Sequence, residues 1–188
     1  MTDSMKLIAL CDISTGFQGK DKEGRYSYRQ IKLKDVNQYE AIEYDMLDEL
    51  GTDTEIPKSN LLKKGDILFK AKSGDNSVAI IEEVRDDLIA SLHFFVLRVK
   101  EPGLINPDYL VGFLNSKKMQ QHLKSIAVGN TVPMVRRREI SSLNIPLPPF
   151  QKQVEIGNFY RLLQQERRVL KEILNKRVQQ FNAITTQV

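Results

Sequence analysis

From about Pro149 to about Asn182, only Gly157 interrupts a run that can otherwise stay helical, and this run constrains the chain more than any other feature. A mid-helix glycine costs roughly 1 kcal/mol against alanine, too little to stop a helix of this length. At ~1.5 Å per residue the segment makes a rod of about 50 Å. Ile156, Phe159, Leu163, Leu170, Ile173, Leu174, Val178 and Phe181 form one apolar stripe along it, broken by the polar turn Gln164-Gln165-Glu166-Arg167-Arg168. Such a stripe has to be covered. With little chain beyond it, the helix is expected to meet another molecule. Ahead of it, in Ile145-Pro146-Leu147-Pro148-Pro149, each residue that precedes a proline is pushed toward extended geometry. This joint is therefore predicted to be stiff.

The preceding residues read as mixed α/β. Ser27–Lys34 alternates weakly, like a strand, and Asp66–Ala71, Ser77–Val84 and Leu88–Val99 are apolar and rich in β-branched or aromatic residues. Lys72-Ser73-Gly74-Asp75-Asn76 has the composition of a hairpin turn. Helical signals start at Asn106, a capping residue, with Pro107 at the first position and Asp108 at the positive end of the dipole. Leu110, Val111, Phe113, Leu114, Met119, Leu123 and Ile126 continue at helical spacing until Gly129-Asn130.

The 188 residues have room for one ordinary domain and one appended element. No stretch approaches the roughly 18 consecutive apolar residues of a membrane span. The start of the chain lacks the layout of a signal peptide, and Cys11 is the lone cysteine, so a cytoplasmic protein without disulfides or a thiolate metal cluster is expected. The formal net charge of +4 conceals segregation. Residues 1–55 hold 7 bases and 12 acids, residues 56–150 hold 14 and 9, and residues 151–182 hold 7 and 3. Separate basic and acidic faces suit a protein that turns one side to phosphate.

Catalytic signatures are incomplete. Asn106-Pro107-Asp108-Tyr109 resembles the Asn-Pro-Pro-Tyr loop of adenine-N6 methyltransferases, but no Gly-rich cofactor turn accompanies it, and helix capping explains the same residues. Asp66 precedes Phe69-Lys70-Ala71-Lys72, which carries bases where a metal-dependent nuclease needs an acid. His93 lies in an apolar run and reads as a core residue rather than a ligand, and there is no phosphate loop. No catalytic or metal-binding residues are predicted. Recognition remains, in three probable loops. Gly19–Arg29 interleaves Lys20, Lys22, Arg25 and Arg29 with Tyr26 and Tyr28. Lys70–Asn76 supplies Lys70, Lys72, Ser73 and Asn76, and Gly129–Arg138 supplies Asn130, Thr131, Arg136, Arg137 and Arg138. Lysine and arginine on phosphates give position, while arginine, asparagine and serine on base edges give sequence.

Several motifs then occur in a telling order: Leu62-Lys63-Lys64-Gly65-Asp66-Ile67-Leu68; Asn106-Pro107-Asp108-Tyr109-Leu110 with Phe113-Leu114-Asn115-Ser116; Gly129-Asn130-Thr131-Val132-Pro133; Leu143-Asn144-Ile145-Pro146-Leu147-Pro148-Pro149; and Gln153. In series, over residues 6 to about 180, they resemble a target-recognition domain of the specificity subunits of type I restriction–modification systems. The resemblance implies an α+β target-recognition domain, placed at residues 1–146, then a helical spacer and dimerisation region at 147–188 that pairs as a coiled coil. It implies a non-catalytic, sequence-specific reader of one half of a bipartite double-stranded DNA site, which positions methyltransferase and restriction subunits. No cofactor is expected on this chain, because S-adenosylmethionine belongs to the methyltransferase partner. A full subunit has two such units, and here there is one. The chain either pairs with a copy of itself through Ile156, Phe159, Leu163, Leu170, Ile173, Leu174 and Phe181, or is a fragment or engineered half. The alternatives are a stand-alone DNA-binding or interaction module without restriction partners, and an enzyme with an unrecognised site.

Overall fold

Along Ile67–Lys70 every side chain is buried, and neighbouring residues enter different cores: Ile67 and Phe69 one, Leu68 another. A strand buried on both faces reads as a continuous apolar run, and it needs cover on both sides. The computed structural model, which describes residues 3–19, 24–36, 42–83, 85–129 and 131–186, shows what supplies that cover.

In chain order the elements are β1 (Asp3–Lys6), α1 (Leu7–Leu10), β2 (Cys11–Thr15), β3 (Tyr26–Ile31), β4 (Asp48–Thr52), β5 (Ile67–Lys70), β6 (Val78–Ile80), β7 (Leu88–Ala90), β8 (Phe94–Val99), α2 (Pro107–Leu114), α3 (Lys117–Ile126), α4 (Arg137–Ser141), β9 (Asn144–Leu147) and α5 (Phe150–Thr185). An antiparallel sheet in the order β2-β8-β5-β6 forms the centre. One face, through Ile67, Phe69, Phe95 and Leu97, packs on apolar residues of α1 to α4. The other, through Leu68, Phe94 and Val96, packs on Ile31, Leu88 and Ala90 of a second sheet, ordered β4-β3-β7, in which β3 and β7 run parallel. β1 and β9 form a separate antiparallel ribbon, so the proline-rich joint is held by the start of the chain.

The expected β5–β6 hairpin forms, with Ile67 opposite Ile80 and Phe69 opposite Val78. Two expectations change. Leu88–Val99 is not one strand: a turn at Leu92-His93 divides it into β7 and β8, which belong to different sheets. The single helix expected from Asn106 is two, because Asn115 ends α2 and Ser116 caps α3, its hydroxyl accepting from the Met119 amide at 3.4 Å. The Asn115 side chain is turned to other use. It hydrogen bonds both the amide and the carbonyl of Val78, at 2.9 and 2.8 Å, and donates to the Tyr160 hydroxyl at 2.7 Å.

Polar ties fix the rest of the frame. Asp66, 2% exposed, accepts from Arg98 Nε at 2.7 Å and Nη2 at 2.6 Å, and also from the Lys63 amide at 2.8 Å. Gly65, at φ +89°, makes the turn that sets this geometry. The Leu62–Leu68 motif is therefore architecture. A two-point ion pair reinforced by a further hydrogen bond is the form in which burial of a charge is tolerated.

The joint between α2 and α5 is equally specific. Gln153 of α5 is buried, accepts from the Asn106 amide at 3.0 Å and donates to the carbonyls of Leu104 and Pro148 at 3.2 and 3.0 Å. The Tyr109 hydroxyl donates to Pro146 O at 2.8 Å. Gly157, taken from sequence as a mere interruption, sits where a Cβ would lie 2.8 Å from both Asn106 Oδ1 and the Tyr109 amide nitrogen. On the facing helix, a Cβ at Gly112 would lie 2.9 Å from Cγ of Tyr160. The two backbones approach because neither position carries a side chain.

Gly157→Ala should therefore lower stability by about 1–3 kcal/mol, as overpacking does, although propensity alone would raise it by roughly 1 kcal/mol. Urea unfolding monitored by circular dichroism measures the sign. A stabilised variant would show that the helices do not meet closely at this point.

Candidate nucleic-acid interface

The turn that splits the Leu88–Val99 run is the hub of the polar surface. Its backbone is tied on every side. The Ser91 amide donates to Ile31 O at 2.9 Å, and the Phe17 amide donates to Ala90 O at 2.7 Å. The amides of Ala71 and Lys72 both donate to His93 O, at 2.9 and 3.3 Å, and the Val135 amide donates to Ala71 O at 3.0 Å. Three loops distant in sequence thus converge on Ser91–His93: the segment after β2, the β5–β6 turn and the segment before α4. Val128 and Met134 exchange two backbone hydrogen bonds, 3.0 and 2.8 Å, and Met134 also bridges to Lys72.

The sequence-predicted residues divide on this frame. Lys20, Lys22 and Asn130 lie outside the described residues. Arg136 and Arg138 are exposed, with Arg138 3.2 Å from Glu139. Arg137 also lies on the surface, but its guanidinium donates to Ile13 O and ties α4 to β2. Ser73 is half-buried and accepts from the Asp75 amide at 3.4 Å. Arg25 stacks over the Tyr26 ring at 5.8 Å, at the opposite end of β3 from the hub. Tyr26 and Ile31 stand five residue steps apart along the strand, roughly 16 Å. Arg29 is half-buried and pairs with Asp87 at 3.4 Å.

Lys70 and Asn76 do not belong on an interface. Lys70 is 5% exposed, and its ammonium donates to Val36 O at 3.2 Å and to Asp75 at 3.4 Å. Burial raises the pKa of the Asp75 carboxyl, but hydrogen bonds from Ser77 and the charge of Lys70 outweigh it, leaving the group below its ordinary value. Asn76 is buried too, donating to Lys70 O at 2.9 Å, while its own carbonyl accepts from Gln120 at 3.0 Å. Turn composition identified the residues correctly but not the direction in which they face.

Other polar residues gather where none was singled out. A pocket of about 430 Å³ opens beside the hub, and Gln18, Gln30, Lys32, Lys34, Ser91 and His93 are among its lining residues. Lys32 and Lys34 share Asp48, at 2.7 and 3.0 Å, and their hydrogen bonds hold its carboxyl below the usual range. The one available signal was a serine and a histidine inside an otherwise apolar run. Elsewhere, burial pushes the Cys11 thiol up to about 12. Among the described residues no cluster of His, Cys, Asp and Glu is arranged to hold a metal ion, and no helix is long and apolar enough to cross a membrane.

The family model for the type I restriction modification DNA specificity domain matches residues 6–177. The chain belongs to that family. The fold agrees, at identities that speak to the fold alone. The S subunit of a type I restriction-modification system from M. genitalium shares 16% identity, with a TM-score of 0.62, over 92% of this chain and 41% of that one. The HsdS subunit from Thermoanaerobacter tengcongensis shares 17% identity, with a TM-score of 0.65, over 93% and 44%. A structure described as the basis of complex assembly and conformational transition of the type I R-M system shares 17%, with a TM-score of 0.68, over 93% and 45%. This specificity domain thus spans less than half the length of the solved chains it matches. No curated protein matches it in sequence.

Truncating Asn76 strands the Lys70 carbonyl, a loss of about 1–3 kcal/mol for a buried polar group. Asn76→Ala should lower the thermal midpoint accordingly. An unchanged midpoint would return Asn76 to the candidate DNA-facing set.

Proposed function

We propose that this specificity domain is a non-catalytic subunit of a cytoplasmic type I restriction–modification complex, reading one half of a bipartite site in double-stranded DNA. Residues 1–146 form the target-recognition part, and residues 147–188 form the spacer and pairing part. The methyltransferase subunit it positions carries the S-adenosylmethionine, and the restriction subunit joins through that assembly. Reading falls to the surface around Ser91–His93, with Lys72, Thr131, Arg136 and Arg138 on one side and the Lys32–Lys34 pocket on the other. Arg25, Tyr26 and Arg29 would serve a more distant contact.

The observation that carries this reading is the division of labour along α5. Its 36 residues span about 54 Å. The first turns lie on α2 through Gln153, Gly157 and Tyr160. From Glu166 onward nearly every residue is exposed, including Leu170, Ile173, Leu174 and Val178, with Phe181 at 66%. Closer in, Phe159 is 71% exposed, Ile156 is also exposed, and Leu163 is half-buried. A soluble protein rarely leaves so long an apolar stripe in water unless it is an interface. The proposed occupant is the same helix of a second copy, antiparallel, which places two recognition domains at opposite ends of the pair. Two identical domains related by a twofold read identical half-sites on opposite strands, so the target is an interrupted palindrome.

Light scattering should give a dimer at micromolar concentration, and Leu170→Glu with Leu174→Glu should give a folded monomer. Binding to a duplex should fall with salt at a log–log slope of about −5, for roughly six phosphate contacts. A flat salt dependence, or failure to co-purify with a methyltransferase subunit, would oppose the assignment. Inserting four residues after Arg168, about one helical turn, tests the ruler directly. It should change the preferred spacer between half-sites and leave the half-site sequence unaltered.

A further inference from the structure

The pocket beside the Ser91–His93 turn holds polar groups that the fold does not use. Ser91 is 6% exposed, and its Oγ has no hydrogen-bond partner among the described residues. The same is true of the buried His93 Nδ1. The Ser91 amide donates to Ile31 O, the Ser91 carbonyl accepts from the Phe94 amide and the His93 carbonyl accepts from two amides, so backbone hydrogen bonds fix the turn that carries both side chains. Buried polar atoms are nearly always satisfied, and an orphan at a pocket wall points to a ligand that completes it. Gln30 does not serve these atoms, since its amide donates to Phe17 O at 3.3 Å.

The charge at the rim says which ligand. Lys32 and Lys34 both line the pocket and share the carboxylate of Asp48, and Lys34 also lies 3.7 Å from that of Asp35. Neither Asp48 nor Asp35 is among the lining residues, so the charged residues on the pocket wall are both cationic. A hydroxyl, an imidazole nitrogen able to carry a proton and two ammonium groups can all donate hydrogen bonds. A phosphate oxygen only accepts them, and such charge-assisted bonds are the strong ones.

We infer that this pocket, with Ser91 and His93 on its wall and Lys32 and Lys34 at its rim, holds one phosphate of the DNA backbone. The inference rests on the reading of this chain as a DNA-binding subunit. It adds a fixed anchor that sets the register of the recognition domain on the duplex without reading sequence. The anchor lies next to Lys72, whose amide donates to His93 O, so seating one phosphate would bring that side chain to the adjacent groove.

A phosphate contact is indifferent to sequence, so a mixed-sequence duplex of about 20 base pairs at low salt is a sufficient probe, with binding read by fluorescence anisotropy. Ser91→Ala removes a hydroxyl without a protein partner and should weaken binding about tenfold with the salt slope unchanged, the loss of one hydrogen bond to a charged oxygen. Lys34→Gln should weaken binding and reduce the slope by about one. In nitrogen NMR of the two histidines, the His93 Nδ1 signal should move on adding the duplex in the wild-type chain. If Ser91→Ala does not fold, the lysine variant and the His93 signal carry the test. Steep salt-dependent binding by the wild type, with both variants and the His93 signal unaffected, would overturn the pocket and leave the DNA-reading assignment standing. A Ser91→Ala change in the sequence selected from a randomised duplex would assign the pocket to a base edge and overturn the phosphate. A wild-type chain that binds no duplex would overturn both.

Discussion

The direction in which α5 leaves the body follows from one close contact, the approach of its backbone to the start of α2 across Gly157. Two helices with ordinary side chains pack with their axes 8–10 Å apart. With hydrogen in place of a side chain at Gly157 and Gly112, hydrogen bonds from Gln153 and between Asn115 and Tyr160 can bridge the joint. Asn115 also grips both polar groups of Val78, so the helix is tied to the central sheet through one side chain. A rod fixed in this way transmits geometry. The outer half of the helix is thereby held at a set distance and angle from the Ser91–His93 turn.

That surface depends in turn on a local failure of hydrophobicity. Between Ala90 and Phe94 the chain places Ser-Leu-His, and the backbone uses the interruption to turn from one sheet into the other. The carbonyl of His93 then gathers the β5–β6 turn, and the Ser91 amide gathers the end of β3. Loops far apart in sequence meet around these three residues through backbone hydrogen bonds. A reader of DNA needs such a base, since recognition side chains gain specificity only when their own positions are fixed.

Counting bases in a loop overestimates how many can reach phosphate. Lys70 and Arg137 carry the same formal charge as Lys72 and Arg138, yet the first two satisfy main-chain carbonyls of the body. Lys32 and Lys34, which the sequence pattern assigns to a strand but which lie at the 3-10 turn Leu33–Asp35 that follows β3, line a pocket instead. The difference is made by hydrogen bonds spanning 34 and 124 residues, which no local pattern encodes.

The sequence by itself determined what depends on short-range sterics and periodicity. The long helix and its apolar stripe, the extended proline joint, the β5–β6 hairpin and the Asn106 cap all follow from residues within a turn or two of one another. The order of motifs also sufficed to indicate the family. Tertiary structure alone decided that Leu88–Val99 serves two sheets, that Gly157 is a contact rather than a weakness, and that Asn76 faces inward while Ser91 and His93 line a pocket. Each of these turns on which distant backbone comes within about 3 Å, the range over which a hydrogen bond or a clash is decided.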